Sequence, residues 1–200
     1  MDALVLRFAL EHGHPARRDL RPLLDQHALD LPLAGNAFAR LGAVPATPEN
    51  ARRLLSEGLA LAVFPEGSRA GSRPSTQRYR LEQFGRGGFA KVALRARATI
   101  VPCAIVGSEE TSAPFARPGW LAEWLNIPAL SGTPALPLAP LALVPLPSRW
   151  SLRFGSPIAA DAGPQAADDP ATVIDLTERT REALQAMLDE DVAARRSVYP

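Results

Sequence analysis

A single cysteine, Cys103, occurs in the 200 residues. That excludes a disulfide or a thiolate metal cluster built within the chain, and it fits a reducing compartment. Lysine is as scarce: of 22 basic residues only Lys91 is lysine, so the positive charge is almost all guanidinium. GC-rich coding gives the same bias, but guanidinium also suits bidentate binding of phosphate better than ammonium does. The formal net charge is only +1. No nucleic-acid partner is expected, because such partners call for a strong basic excess. The three histidines, His12, His14 and His27, lack the spacing of a metal site. No unbroken apolar run is long enough to cross a bilayer, which takes about 20 residues of helix. The longest apolar tract, Ile127 to Pro147, is interrupted by prolines at 128, 134, 137, 140 and 145, and lipid cannot replace the hydrogen bonds they remove. Met1-Asp2-Ala3-Leu4 offers no basic stretch ahead of an apolar one, so no secretory leader is expected.

What is present is an alternation of helix and strand patterns. Asp2 to His12 is apolar almost all round, as in a buried helix. Leu20 to Leu24 has the length of a short strand, and Leu33 to Leu41 that of a short helix closed by Gly42. Thr47-Pro48-Glu49 opens a helix, with Thr as cap and Pro in the first turn. Ala51, Leu54 and Leu55 face inward there, and Gly58 ends it. Leu59 to Phe64 is a continuous apolar run suited to a strand buried on both faces. Gly87 to Arg97 reads as a helix burying Phe89, Val92, Ala93 and Ala96. Thr99 to Val106 reads as a second buried strand, and Trp150 to Phe154 as an alternating third. Asp169-Pro170 opens a last helix, about 170–194, with Val173, Leu176, Thr180, Leu184, Met187, Leu188 and Val192 as its apolar stripe. The stretch Ala159 to Ala171 reads as a linker to it. The expectation is one α/β domain over 1–200, a layered mixed sheet flanked by helices.

The densest chemistry lies in Phe64-Pro65-Glu66-Gly67-Ser68-Arg69. A buried strand breaks into a turn bearing a carboxylate, a glycine, a hydroxyl and a guanidinium, and Arg73, Arg78 and Arg80 follow. Ligands gather at such strand ends in α/β sheets. Glycine lets an anion approach the backbone, while Ser68 and Arg69 supply donors. A glutamate among arginines can orient a phosphate clamp.

These residues resemble the Phe-Pro-Glu-Gly-Thr-Arg-Ser signature of the glycerol-phosphate and lysophosphatidic acid acyltransferases, with Ser68 in place of Thr and Ala70 in place of the final Ser. Leu54-Leu55-x-x-Gly58 precedes the signature. Thr99-Ile100-Val101-Pro102-Cys103-Ala104-Ile105 follows it and is similar to the family's Pro-Ile-Val-Pro-Val strand. Phe84-Gly85-Arg86-Gly87-Gly88-Phe89 resembles the helix joining the two, and Phe38-Ala39-Arg40-Leu41-Gly42-Ala43-Val44 the weaker second motif. The resemblance spans roughly residues 2 to 158, in the family's order.

The resemblance implies a glycerol-3-phosphate acyltransferase-like fold and transfer of a fatty acyl group to a glycerolipid hydroxyl, such as that of 1-acylglycerol-3-phosphate, in phospholipid biosynthesis. The donor would be acyl-CoA or acyl carrier protein acting as co-substrate, with no metal or bound cofactor. Glu66, Gly67, Ser68 and Arg69 would hold the acceptor's phosphate, and Arg40 would contribute from the second motif. Peripheral association with the cytoplasmic face of the cytoplasmic membrane is expected. The family's base is the histidine of a His-x-x-x-x-Asp motif, whose aspartate sets the histidine's tautomer and orientation. Two placements exist. His14 and Asp19 match literally, but Asp19 leads into Leu20-Arg21-Pro22. Asp2 leads straight into an apolar helix, as in the family, and its histidine would lie five residues upstream, before Met1. The second placement implies an N-terminally truncated motif. The alternative function is a non-catalytic lipid- or phosphate-binding relic of the same fold.

Other signals carry less. Gly85-Arg86-Gly87-Gly88-Phe89-Ala90 has a dinucleotide-like spacing but follows no buried strand. There is no Gly-Lys-Ser/Thr loop and no Gly-x-Ser-x-Gly elbow. A phosphate-ester hydrolase using the arginine-rich loop is the remote enzymatic rival. Trp120, Trp124 and Trp150, around the proline-rich tract, read as core packing or as a surface at the membrane interface, where tryptophan is favoured.

Overall fold

The computed structural model describes residues 2–13, 18–30, 34–66, 79–108 and 149–195. In chain order the elements are α1 (Asp2–Gly13), β1 (Leu20–Leu24), α2 (Gln26–Leu29), α3 (Ala34–Arg40), β2 (Val44–Pro45), α4 (Pro48–Ser56), β3 (Ala60–Ala62), α5 (Gly88–Ala96), β4 (Cys103–Val106), β5 (Ser151–Phe154) and α6 (Pro170–Ala194). A 3-10 turn, Pro164–Asp168, precedes α6.

Three strands form a parallel sheet in the order β2-β1-β3. Leu20 pairs with Ala60 and Pro22 with Ala62, while Leu23 pairs with Val44. Pro22 sits in the central strand, where proline is normally excluded. The register explains it. Ala60 N donates to the Asp19 carbonyl at 3.2 Å, so the N–H groups of residues 21 and 23 face β3 and that of residue 22 would face away. The missing donor leaves the β1–β3 ladder intact, and pairing with β2 begins one residue later. β4 and β5 form a separate antiparallel pair, extended by a bridge between Ile100 and Ile158. The mixed α/β expectation therefore holds.

α4 starts and stops as its sequence dictates. The Thr47 side chain accepts from Asn50 N at 3.2 Å, and Pro48 occupies the first turn. At the other end Gly58 takes a φ of +77°, which lets Leu59 N return to the Leu54 carbonyl at 3.1 Å. Ala51 and Leu54 are buried, with Leu55 half-buried. Burying side chains of this size stabilises by roughly 1 to 3 kcal/mol each.

The longest helix holds the rest together. The Asp169 side chain caps α6, accepting from Ala171 N and Thr172 N. Its carboxyl is held below the usual aspartate range, first by the Thr172 hydroxyl and then by those backbone N–H groups. Val173 and Leu176 pack with Ala90, Ala93 and Leu94 of α5, while Met187 and Leu188 pack on Ala104 and Val106 of β4. Gly87, just before α5, has a φ of +68°, and a Cβ there would stand 2.7 Å from Thr177 Oγ1 and 2.8 Å from Val173 Cγ1. Only glycine lets α5 approach α6 this closely.

Several expectations need correction. β3 is three residues long, not six, and Val63 is 44% exposed. Strand β4 begins only at Cys103, because Thr99 to Pro102 contributes a single bridge. α1 buries Leu6 but leaves Phe8 64% exposed, since its packing partners lie on one side only. In α5 it is Ala90 and Leu94 that join Ala93 in the core, and Ala96 is exposed. Phe154 and Val192 are exposed ends of their elements. The supposed linker is part of the core: Ala160 and Ala167 pack against α5, because alanine's small side chain allows backbone to lie close. Leu33, Trp120 and Trp124 lie outside the described residues, and Trp150 is half-buried before β5.

Candidate functional site

β3 delivers the signature. Ala62 and Phe64 pack in one apolar cluster with Leu6 and Leu10 of α1 and Leu20 of β1. Cys103 and Ile105 of β4 and Leu152 of β5 close that cluster from the antiparallel pair. Burial pushes the Cys103 thiol up to about 11. It is therefore protonated at neutral pH and serves as core rather than nucleophile.

Past Phe64 the chain turns at Pro65-Glu66. Glu66 is half-buried, and its Oε1 accepts from the backbone N–H of Glu82 at 2.8 Å. One hydrogen bond thus joins the two ends of the segment between them. Residues Gly67, Ser68 and Arg69, with Arg73 and Arg78, lie outside the described residues.

The strap that follows, residues 79–82, is held at several points. Gln185 Nε2 donates to the Tyr79 carbonyl at 3.0 Å, and Gln185 Oε1 accepts from Leu81 N at 2.8 Å. Gly107 N, just past β4, donates to the Tyr79 hydroxyl at 2.9 Å. Tyr79 has a φ of +60°, a sparsely populated region for a bulky residue. Tyr79, Glu82 and Gln185 were missed by sequence reasoning. The last lies more than 100 positions from its partners, and no local pattern links them.

The two aspartates offered by the sequence separate here. Asp2 is the first residue of α1 and half-buried. The far half of that helix reaches the start of β1, where Arg7, Glu11, Arg18, Asp19 and Leu20 line a cleft of about 220 Å³. Asp19 lies at the edge opposite the one from which Glu66 emerges. It neighbours Leu59, five residues before Phe64, on the order of 15 Å away along an extended strand. Its carboxylate is already engaged by Arg21 Nη2 at 2.7 Å. His14 lies outside the described residues. Asp19 is thus at the opposite end of the strands from Glu66. The cleft, at the Asp19 edge, is not the signature site.

Arg40 ends α3 and is exposed. Its neighbour Leu41 accepts a hydrogen bond from Arg7 Nη1, which places this turn by the middle of α1. Among the described residues no group of three His, Cys, Asp or Glu side chains could hold a metal ion, and no helix is long and apolar enough to cross a membrane.

The chain is similar to known proteins. Residues 1–106 match the family model described as Acyltransferase. An uncharacterized protein of Mycobacterium leprae is 44% identical over 200 residues, covering 99% of this chain and 54% of that protein. An uncharacterized protein of Mycobacterium tuberculosis is also 44% identical, covering 99% of this chain and 56% of its own length. The chain thus spans about half the length of the curated relatives it matches. Among solved structures, the 1-acyl-sn-glycerophosphate (LPA) acyltransferase PlsC from Thermotoga maritima aligns with a TM-score of 0.53 and 15% identity. That alignment covers 90% of this chain and 58% of that one. At such identity the likeness is one of fold.

Proposed function

Because the chain belongs to the acyltransferase family, we propose that its protein moves a fatty acyl group from acyl-CoA or acyl carrier protein to the free hydroxyl of a phosphate-bearing glycerolipid such as 1-acylglycerol-3-phosphate, a step of phospholipid biosynthesis. The observation that carries the reading is the Phe64-Pro65-Glu66 turn at the end of β3, with Glu66 closed onto Glu82.

In this reading the acceptor hydroxyl attacks the thioester carbonyl carbon. An oxygen–carbon bond forms and the carbon–sulfur bond breaks. A histidine five residues before Asp2 in the full-length protein takes the hydroxyl proton and returns it to the departing thiolate. Asp2 orients that histidine. Glu66, Gly67, Ser68 and Arg69 hold the acceptor phosphate, with Arg40 assisting. The lipid acceptor brings the protein to the cytoplasmic face of the membrane as a peripheral protein.

The test uses the purified full-length protein, lysophosphatidic acid and an acyl-CoA, following thiol release and the diacylated product by mass spectrometry. Acceptor-dependent thiol release is expected, and Asp2→Asn should lower it by about a hundredfold or more. Binding of lysophosphatidic acid with no thiol release would instead identify a non-catalytic lipid binder. Release of inorganic phosphate without any thioester would point to the hydrolase. The intact mass and the sequenced N-terminal peptide of the native protein decide separately whether a histidine stands five residues before Asp2.

A further inference from the structure

Gln185 lies in the middle of α6, outside every stretch that resembles the acyltransferase motifs, yet all the hydrogen-bonding capacity of its amide nitrogen is in use. One N–H donates to the Tyr79 carbonyl at 3.0 Å and the other to Asp189 Oδ1 at 2.9 Å. Its Oε1 accepts from Leu81 N at 2.8 Å. Asp189 can only accept when ionised, so it must face the NH2 group and thereby fixes which way the amide is turned. So oriented, the side chain meets residues 79–81 as a neighbouring strand would, giving one donor and one acceptor to alternate backbone groups.

The next backbone N–H along that strap, Glu82 N, is the one that Glu66 accepts at 2.8 Å. Tyr79 is pinned independently, by Gly107 N on its hydroxyl at 2.9 Å, and it packs with Leu81 against Met187 and Leu188 of α6. The path from α6 to Glu66 is therefore continuous: the Gln185 amide, the backbone of residues 79–81, Glu82 N, and the Glu66 carboxylate.

We infer that Gln185 is a positioning residue for acceptor binding: its amide, oriented by Asp189, fixes the strap whose Glu82 N–H holds Glu66 in place. This rests on the assignment of Glu66 to the acceptor-binding turn. Because the role is one in acceptor binding, the effect is expected on the acceptor.

The experiment compares Gln185→Met, which keeps length and apolar packing but removes the amide, with Leu176→Ala, which weakens the same helix where it packs on α5, away from residues 79–82. In the full-length protein Gln185→Met should raise the KM for the lysophosphatidic acid acceptor about tenfold, the cost of losing two neutral hydrogen bonds. The acyl-CoA KM should stay within about twofold. Leu176→Ala should lower Tm at least as much and leave the acceptor KM unchanged. Hydrogen exchange supplies a readout independent of activity: in Gln185→Met the amides of both Leu81 and Glu82 should exchange faster. Asp189→Asn, which no longer selects one amide orientation, should give an intermediate effect. Unchanged exchange at Glu82, or an equal acceptor KM shift in Leu176→Ala, overturns the inference whatever the activity. Faster exchange at Glu82 in a protein inactive toward every glycerolipid phosphate leaves the clamp standing and removes the proposed reaction.

Discussion

The two edges of the parallel sheet are built differently. At the edge where β1 starts, Asp19 takes its guanidinium from Arg21, two residues along the chain, and Arg7 faces Glu11 one helical turn away at 3.8 Å. At the edge where β3 ends, Glu66 takes a backbone N–H sixteen residues on, in a strap tied to a helix more than a hundred residues on. Apart from the Arg7 hydrogen bond to the Leu41 carbonyl, the side chains of the first edge are stitched by short-range ion pairs, partly exposed, which contribute little net stability. The second is stitched by long-range bonds to backbone, whose geometry cannot relax one side chain at a time. A surface that must hold a substrate group to within a fraction of an ångström needs the second kind of construction.

That contrast can be broken. Glu66→Ala removes the closure and should lower acyl transfer to the glycerolipid acceptor about a hundredfold, the usual scale for a hydrogen bond to a charged group at a binding site. A loss below threefold in steady-state kcat/KM would mean that the edge does not bind the acceptor. Gly87→Ala strains the junction where the strap enters α5, forcing a Cβ onto Thr177 and Val173. It should cost about 2 kcal/mol in urea unfolding, and an unchanged midpoint would show that α5 can slide on α6. Thr47→Ala removes the cap of α4, which starts just past the end of β2 on the Glu66 side. A loss of about 1 kcal/mol is expected, with the acceptor KM unaffected. The smallest effect belongs to the other edge. Asp19→Ala should cost under about 1 kcal/mol and leave acyl transfer within twofold, whereas a collapse of activity would restore the His14 and Asp19 pairing as the catalytic one.

Much of the scaffold was legible because its signals are local. Thr47-Pro48 and Asp169-Pro170 announce helix starts that the structure keeps, with the caps in place. Gly58 ends α4 for the reason its type suggests. Strand limits were less legible. Leu59 to Phe64 is apolar throughout, but composition cannot say where a neighbour stops pairing, and here the β1–β3 ladder stops at Ala62. Strand β2, two residues long, and α2, four residues long, are too short to leave a periodic signal. The alanine-rich stretch before α6 reads as a linker by composition and as core by contact. Of the site, the sequence offered Asp2, Arg40 and Glu66 through resemblance, and favoured Asp2 over Asp19 because Asp2 leads straight into an apolar helix. Tyr79, Glu82 and Gln185 had no sequence signal, because a hydrogen bond between residues 79 and 185 leaves no mark on the neighbours of either.

The dependence of the strap on α6 has a consequence for the order in which the chain can assemble. Nearly everything in the parallel sheet is supplied by residues 2–66, so pairing and burial there can begin while the remainder is still being synthesised. The Glu66 edge cannot be finished at that point. Its strap waits for Gln185, and contacts of such separation are slow to form because a long loop must close first. The turn after β3 is therefore among the last parts of the molecule to gain all its contacts, and a chain released before residue 185 would lack the clamp on residues 79–81.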